Sequence, residues 1–294
     1  MTMTLDEKEH TMLSRSPEFW ADEGTLVLIL RNEGFKLHRS LIHGQSNRIA
    51  ELEASNLSSD MNNDEYGLAV LRLPDGTADP ADFSVLLRHI YSETDMKLFT
   101  GLSGCRKLCS LIRVSSPTQM DCPAIYSAAR LRLQELLGAG LGALEPEYRE
   151  DAEDILSVVS QYDLQPLQKR LLYTVATTSH FDSLEPHPSL PSALTTLCAT
   201  LQDNLIAHFT PILFTVATTA THMNCTNIFA EEWMPLVIGP ALEDSGLCRP
   251  VETLRMIQKV RWEEHGLCAE CCKEKRGEWE EEIRTVWDMI DGWI

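Results

Sequence analysis

The densest run of metal-ligating residue types in this chain is "HGLCAECC", which holds His265, Cys268, Cys271 and Cys272. Thiolates and imidazole suit Zn²⁺, and Cys-x2-Cys is the spacing that lets two sulfurs reach one ion. A tetrahedral structural site needs four ligands, and no second pair at comparable spacing is read elsewhere, so Cys248 or His265 has to complete the set. The competing reading puts Cys268 and Cys271 on one helix face as small buried hydrophobes. A redox dithiol has no βαβ pattern around it. The expectation is no resident cofactor, with a structural zinc on His265, Cys268, Cys271 and Cys272 as the alternative.

A second cluster is "GFKLHRSLIHGQS", with His38 and Arg39 adjacent and His43 close behind. The scattered histidines His89, His180, His187, His208 and His222 show no spacing that brings two onto one metal. "GAGLGA" follows a helical pattern rather than a strand and lacks the lysine and hydroxyl of a phosphate loop. "GLSGC" and "SGLC" lack the partners of a nucleophile elbow. The acidic runs "EYREDAED" and "EWEEE" fall at helical spacing beside caps and on exposed faces. No catalytic residues are expected, and the chain is not read as an enzyme.

These residues must be carried by ordinary globular elements. The 294 residues are 44% hydrophobic and 23% charged, with a formal charge of −19, which argues against nucleic acid or an anionic membrane as the main partner. The first residues lack a basic stretch followed by an apolar one, so no secretory signal is read. Nine cysteines without such a signal read as free thiols in a reducing compartment. A cytoplasmic or nuclear location is the expectation, with no membrane span.

Residues 1–15 are polar and expected to be disordered. Thr25–Leu30 and Phe35–Leu37 read as a hairpin with one buried face, and Leu68–Leu73 as a third strand. Ser46 is a candidate N-cap for the helix "NRIAELEA". Asp79 caps the next helix, with Pro80 at its first position and Phe83, Leu86, Leu87, Ile90 and Tyr91 on one stripe. The glycine-rich stretch 139–147 reads as a linker, and beyond it residues 148–294 read as helical throughout. There, Trp279, Ile283, Val286, Trp287 and Ile290 form an apolar face expected to dock within the chain. The hexapeptide [YF]TVATT occurs at Tyr173–Thr178 and Phe214–Thr219, but its flanks barely match and no repeat is read.

The order strand, turn, strand, "HRSLI", helix, strand, helix and helical pair resembles the BTB/POZ domain, and within it the group found in mushroom-forming fungi. The residues that carry the resemblance are "SPEFWADEGTLVLILRNEGFKLHRSLIHGQSNRIAEL", "LRLPDGTADPADFSVLLRHIYS" and "LCSLIRVSSPTQMDCPAIYSAARLRLQELL". The resemblance implies an α+β domain over residues 16–138, a small sheet flanked by helices, followed by an all-helical extension. It implies a structural corner at His38, Arg39, Leu41 and Ser46, with Ile42 beside them and a His38 ring nitrogen bonded to backbone. In the family the basic residue pairs with an aspartate at the start of the first strand. Thr25 stands there, with Asp22 and Glu23 upstream, so that charged pocket is not expected in its usual form.

The function implied is protein–protein interaction, with self-association or pairing with other BTB proteins. The alternative is a substrate adaptor for a cullin-type ubiquitin ligase, with Phe83, Leu87 and Tyr91 on a partner-facing helix. The acidic residue usual in cullin binders is missing from Phe83-Ser84-Val85, and the dimerising helix before the first strand is short or absent.

Overall fold

A computed structural model describes residues 14–56, 68–92, 95–138, 140–178, 190–220 and 222–294. The expected disorder at the N-terminus, the loop over 57–67, His180 and His187 lie wholly or mostly outside them. The chain divides into two compact units, residues 1–136 and 137–294. The architecture is α+β, a small N-terminal sheet followed by many helices.

The first unit is built on four strands, β1 (Ser14–Trp20), β2 (Leu26–Leu30), β3 (Glu33–Leu37) and β4 (Ala69–Arg72), in the order β1-β3-β2-β4. β2 and β3 form the expected antiparallel hairpin, Leu30 opposite Glu33 across the Arg31-Asn32 turn. β4 runs parallel to β2, and β1 parallel to β3. The hairpin differs from expectation in one respect. All five residues of β2 are buried, so this strand is covered on both faces, as its unbroken Leu-Val-Leu-Ile-Leu run suits. β1 was not anticipated; its burial alternates irregularly, and its register with β3 shifts between Arg15 and Trp20.

Helices α1 (Arg39–His43) and α2 (Asn47–Asn56) connect β3 to β4; α3 (Pro80–Ser92), α4 (Gly101–Ser115) and α5 (Pro123–Leu137) follow. The caps read from sequence are in place. Ser46 Oγ accepts from Ile49 N at 3.3 Å, and Asp79 Oδ1 accepts from Ala81 N at 2.9 Å, each satisfying an N–H that the first helical turn leaves unpaired. The stripe of α3 packs under the sheet, with Phe83 edge-on to Phe35 at 5.0 Å. Arg113 of α4 grips Asp82 with two bonds of 2.7 and 2.9 Å, tying α3 to α4.

Among the described residues the regular elements of the second unit are helices, chief among them α6 (Pro146–Arg149), α7 (Ala152–Gln161), α8 (Gln165–Thr178), α9 (Ser192–Phe214), α10 (Met223–Trp233), α11 (Gly239–Glu243), α12 (Pro250–Lys259) and α13 (Ala269–Met289). The expected linker 139–147 is partly core here: Leu144 is buried and its N–H donates to Thr174 Oγ1 at 2.8 Å. The apolar face of α13 docks within the unit, where Trp279 lies among Phe229, Trp233 and Trp262 at 6.1–6.4 Å. Trp287 sits edge-on to Tyr173 at 5.5 Å. The two TVATT copies take different conformations. The first lies inside α8, whereas the second begins at the last residue of α9 and leaves the helix. Among the described residues no helix is long and apolar enough to cross a membrane.

Candidate metal centre

Four side chains converge in the second unit: His222, Cys225, Cys268 and Cys271, with one ligand atom from each and all four atoms within 4.8 Å of one another. His222 Nδ1 lies 3.1 Å from Cys268 Sγ and 3.3 Å from Cys271 Sγ, and Cys225 Sγ lies 3.8 Å from Cys268 Sγ. A tetrahedral zinc with Zn–S of about 2.3 Å and Zn–N of about 2.0 Å has S–S edges of about 3.8 Å and S–N edges of about 3.5 Å. The donor set and its spacing therefore fit such an ion.

The local folding explains why these atoms meet. His222 is the N-cap of α10 and Cys268 the N-cap of α13, both in extended backbone. Cys225 and Cys271 follow three positions on, inside the first turn of each helix. N-cap and third-turn-position side chains meet over a helix start, so an x2 spacing there aims both ligands at one point. Cys268 Sγ also accepts from the Cys271 N–H at 3.5 Å. The first pair is braced by two threonines of the unwound TVATT copy and α10: Thr219 Oγ1 donates to the His222 carbonyl at 2.7 Å, and Thr226 Oγ1 accepts from Thr219 N at 3.0 Å. The second pair is aimed by Gly266, whose φ of +98° ends the turn Trp262–His265, a conformation that glycine adopts without strain. Arg276 holds that turn to α13 through Glu263, with bonds of 2.7 and 2.9 Å, and keeps the Glu263 carboxyl down at about 2.

The sulfurs differ in environment. The Cys271 N–H, then hydrogen bonds with His222 and Cys271, pull the Cys268 thiol down to about 6. Burial, and then the neighbouring Cys268 and Cys225 sulfurs, push Cys271 up to about 12. Cys268 is half-buried and is the more acidic thiol of the two.

Half of the expected ligand set is thus corrected. His265 turns to Glu232, 3.5 Å away, and Cys272 is buried on another side of α13, one residue and about 100° round the helix from Cys271. Burial pushes the Cys272 thiol up to about 11. Cys248 instead donates to the Ser245 carbonyl at 3.0 Å. The cluster residues missed in the sequence are His222 and Cys225, and their signal was readable: "HMNC" is a His-x2-Cys pair at the start of a helix.

The first-unit cluster is a corner, closed by its own bonds. His38 N donates to the Tyr91 hydroxyl at 2.9 Å, and His38 Nδ1 lies 3.1 Å from the same oxygen, so the ring is held by a side chain rather than by backbone. Arg39 finds its carboxylate on α2: Nη2 donates to Glu53 Oε2 at 3.0 Å, with Nε 3.0 Å from Oε1. Thr25, in the aspartate's place, accepts from Arg39 N at 3.1 Å. Ser46 donates to the Met120 carbonyl, Ile42 is buried, and Leu41 is exposed. Phe83 and Leu87 are fully buried, which corrects their placement on a partner-facing surface, because the stripe that fits the sheet cannot also face out. Tyr91 is half-buried and lines a cavity of about 460 Å³ with Phe19, Val85, His89 and Phe99. Burial lowers the pKa of His89. At its rim Arg88 holds Glu18 with bonds of 2.7 and 2.5 Å, which lowers the Glu18 pKa.

No family model matches this sequence, and no curated protein matches it either. The BTB/POZ resemblance rests on the residues that carry it.

Proposed function

We propose that this chain is a non-catalytic protein–protein interaction module that self-associates through its first unit, as the BTB/POZ resemblance implies. The observation that supports this best is the open sheet. Among the described residues β1 and β4 each pair along one side, and an unpaired edge offers backbone donors and acceptors to a strand of another chain. β4 adds the half-buried Ala69 and Val70 beside that edge. Docking of a cullin-type scaffold is the second reading, favoured by the cavity beside α3 that Phe19, Tyr91 and Phe99 line.

Sedimentation equilibrium of the purified chain tests the first reading, with a dimer expected and a Val70→Lys variant shifted towards monomer. A monomer at every concentration overturns it. Affinity capture from native extract, with identification of a cullin and its RING partner lost on Tyr91→Ala, supports the second.

For the second unit we propose zinc as the cofactor, held by His222, Cys225, Cys268 and Cys271. Three thiols and an imidazole select a thiophilic ion. Zinc content of the purified chain, and its loss in Cys268→Ser, test this.

A further inference from the structure

α10 and α13 meet start to start at the cluster. The first turn of each carries N–H groups without a backbone partner in the helix and the positive end of a helix dipole, about half a charge. Two such ends facing each other repel unless negative charge lies between them. Three thiolates and one Zn²⁺ carry a net charge of −1, and that charge would sit between the two positive ends. Four protein ligands fill a tetrahedral shell, so no position is left open for water or substrate, which is the arrangement of structural rather than catalytic zinc.

The two ligand pairs are far apart in the chain, with Cys225 and Cys268 43 residues apart. The segment they enclose contains Phe229, Trp233 and Trp262, and these pack on one another at 4.9–6.2 Å and on Trp279 of α13. Closing the loop at the cluster therefore closes the aromatic core of the second unit.

We infer that His222, Cys225, Cys268 and Cys271 form a zinc clasp whose loading folds the segment from residue 222 onward, so that this half of the second unit is ordered only with metal bound. This rests on the zinc reading and goes further, from an ion being held to the fold depending on it. Binding sends the thiol protons to solvent, so acid reverses it. His265 and Cys272 take no part.

The test uses the full chain purified without added chelator. Zinc is quantified by atomic absorption and then exchanged for Co²⁺, whose visible bands report tetrahedral thiolate coordination. A dipicolinate titration follows, read by near-ultraviolet circular dichroism and by tryptophan fluorescence, since five of the six tryptophans lie beyond residue 222. The expected result is one zinc per chain, tetrahedral cobalt bands, and loss of the tryptophan signals as metal is withdrawn, with recovery on adding zinc back. Cys225→Ser and Cys271→Ser should lose both metal and signal, while His265→Ala and Cys272→Ala keep both. Because cysteine variants can fold poorly for other reasons, His222→Cys is the second check, and its four-sulfur site should retain the ion. One zinc per chain with tryptophan signals unchanged after its removal overturns the clasp and leaves the zinc reading standing. Absence of zinc, or its loss in His265→Ala but not in His222→Ala, overturns both.

Discussion

At the corner of the first unit, His38 Nδ1 lies 3.1 Å from the hydroxyl of Tyr91, 53 residues away; in the second, His222 Nδ1 lies 3.1 Å from the sulfur of Cys268, 46 residues away. The distances match, but the chemistry does not. The Tyr91 oxygen can accept from the His38 N–H while its own proton goes to the ring, and Glu53 balances Arg39. Every charge and donor named at that corner has a partner of the same range. Around His222, three sulfurs crowd one nitrogen. Thiols are weak donors and weak acceptors, so hydrogen bonds alone account poorly for that packing, and a cation accounts for it well. A histidine thus belongs to a self-sufficient joint in one unit and to a donor set that fits a metal ion in the other.

The contrast can be broken experimentally, beginning with the largest effect. His222→Ala should destabilise the second unit by more than about 4 kcal/mol in zinc-containing buffer, as losses of structural metal do; urea unfolding followed by tryptophan fluorescence measures it. A change as small as that of a lost hydrogen bond would make the two corners equivalent. Tyr91→Phe removes the hydroxyl that serves both the ring and the backbone of His38 and should lower first-unit stability by about 2 kcal/mol. His38→Ala should lower it by only about 1 kcal/mol, because the backbone N–H keeps Tyr91 as its partner. Amide hydrogen exchange in residues 26–37 separates these two.

Acid should separate the units as well. Zinc ligands must be deprotonated, so the second unit is expected to fail first as pH falls. Glu18 makes the smallest contribution. Its pKa is lowered from 4.5 in the folded first unit by Arg88, so its support is present above that value and fades as pH falls through the lower folded one. Glu18→Gln should flatten the first unit's pH dependence below about pH 4.5, while leaving the acid response of the second unconnected to it.

Much of this fold was legible residue by residue. Asp79-Pro80 announced α3, Ser46 announced α2, and "TLVLIL" with "FKL" announced the hairpin, because caps, turns and β-branched runs act over a few residues. β1 was not legible, since "SRSPEFW" has little strand pattern and becomes a strand through pairing with β3. Burial on the second face of β2 was likewise hidden, because periodicity shows how apolar a strand is but not what covers it. Phe83 and Leu87 illustrate the same limit from the other side, since an apolar stripe reads alike whether it meets the core or a partner.

For the candidate metal centre, sequence determined each half. A residue and its third neighbour at a helix start share one side of the first turn, so His222 with Cys225 and Cys268 with Cys271 are local pairs set by helix geometry. Which pairs meet was decided only in three dimensions. Cys272 and His265 are nearer in sequence to Cys271 than either residue of the "HMNC" pair, yet Cys272 is turned away around α13 and His265 is drawn to Glu232. The two helix starts meet together with the packing of Phe229, Trp233, Trp262 and Trp279, whose contacts join residues as far apart as Phe229 and Trp279, which no local pattern encodes.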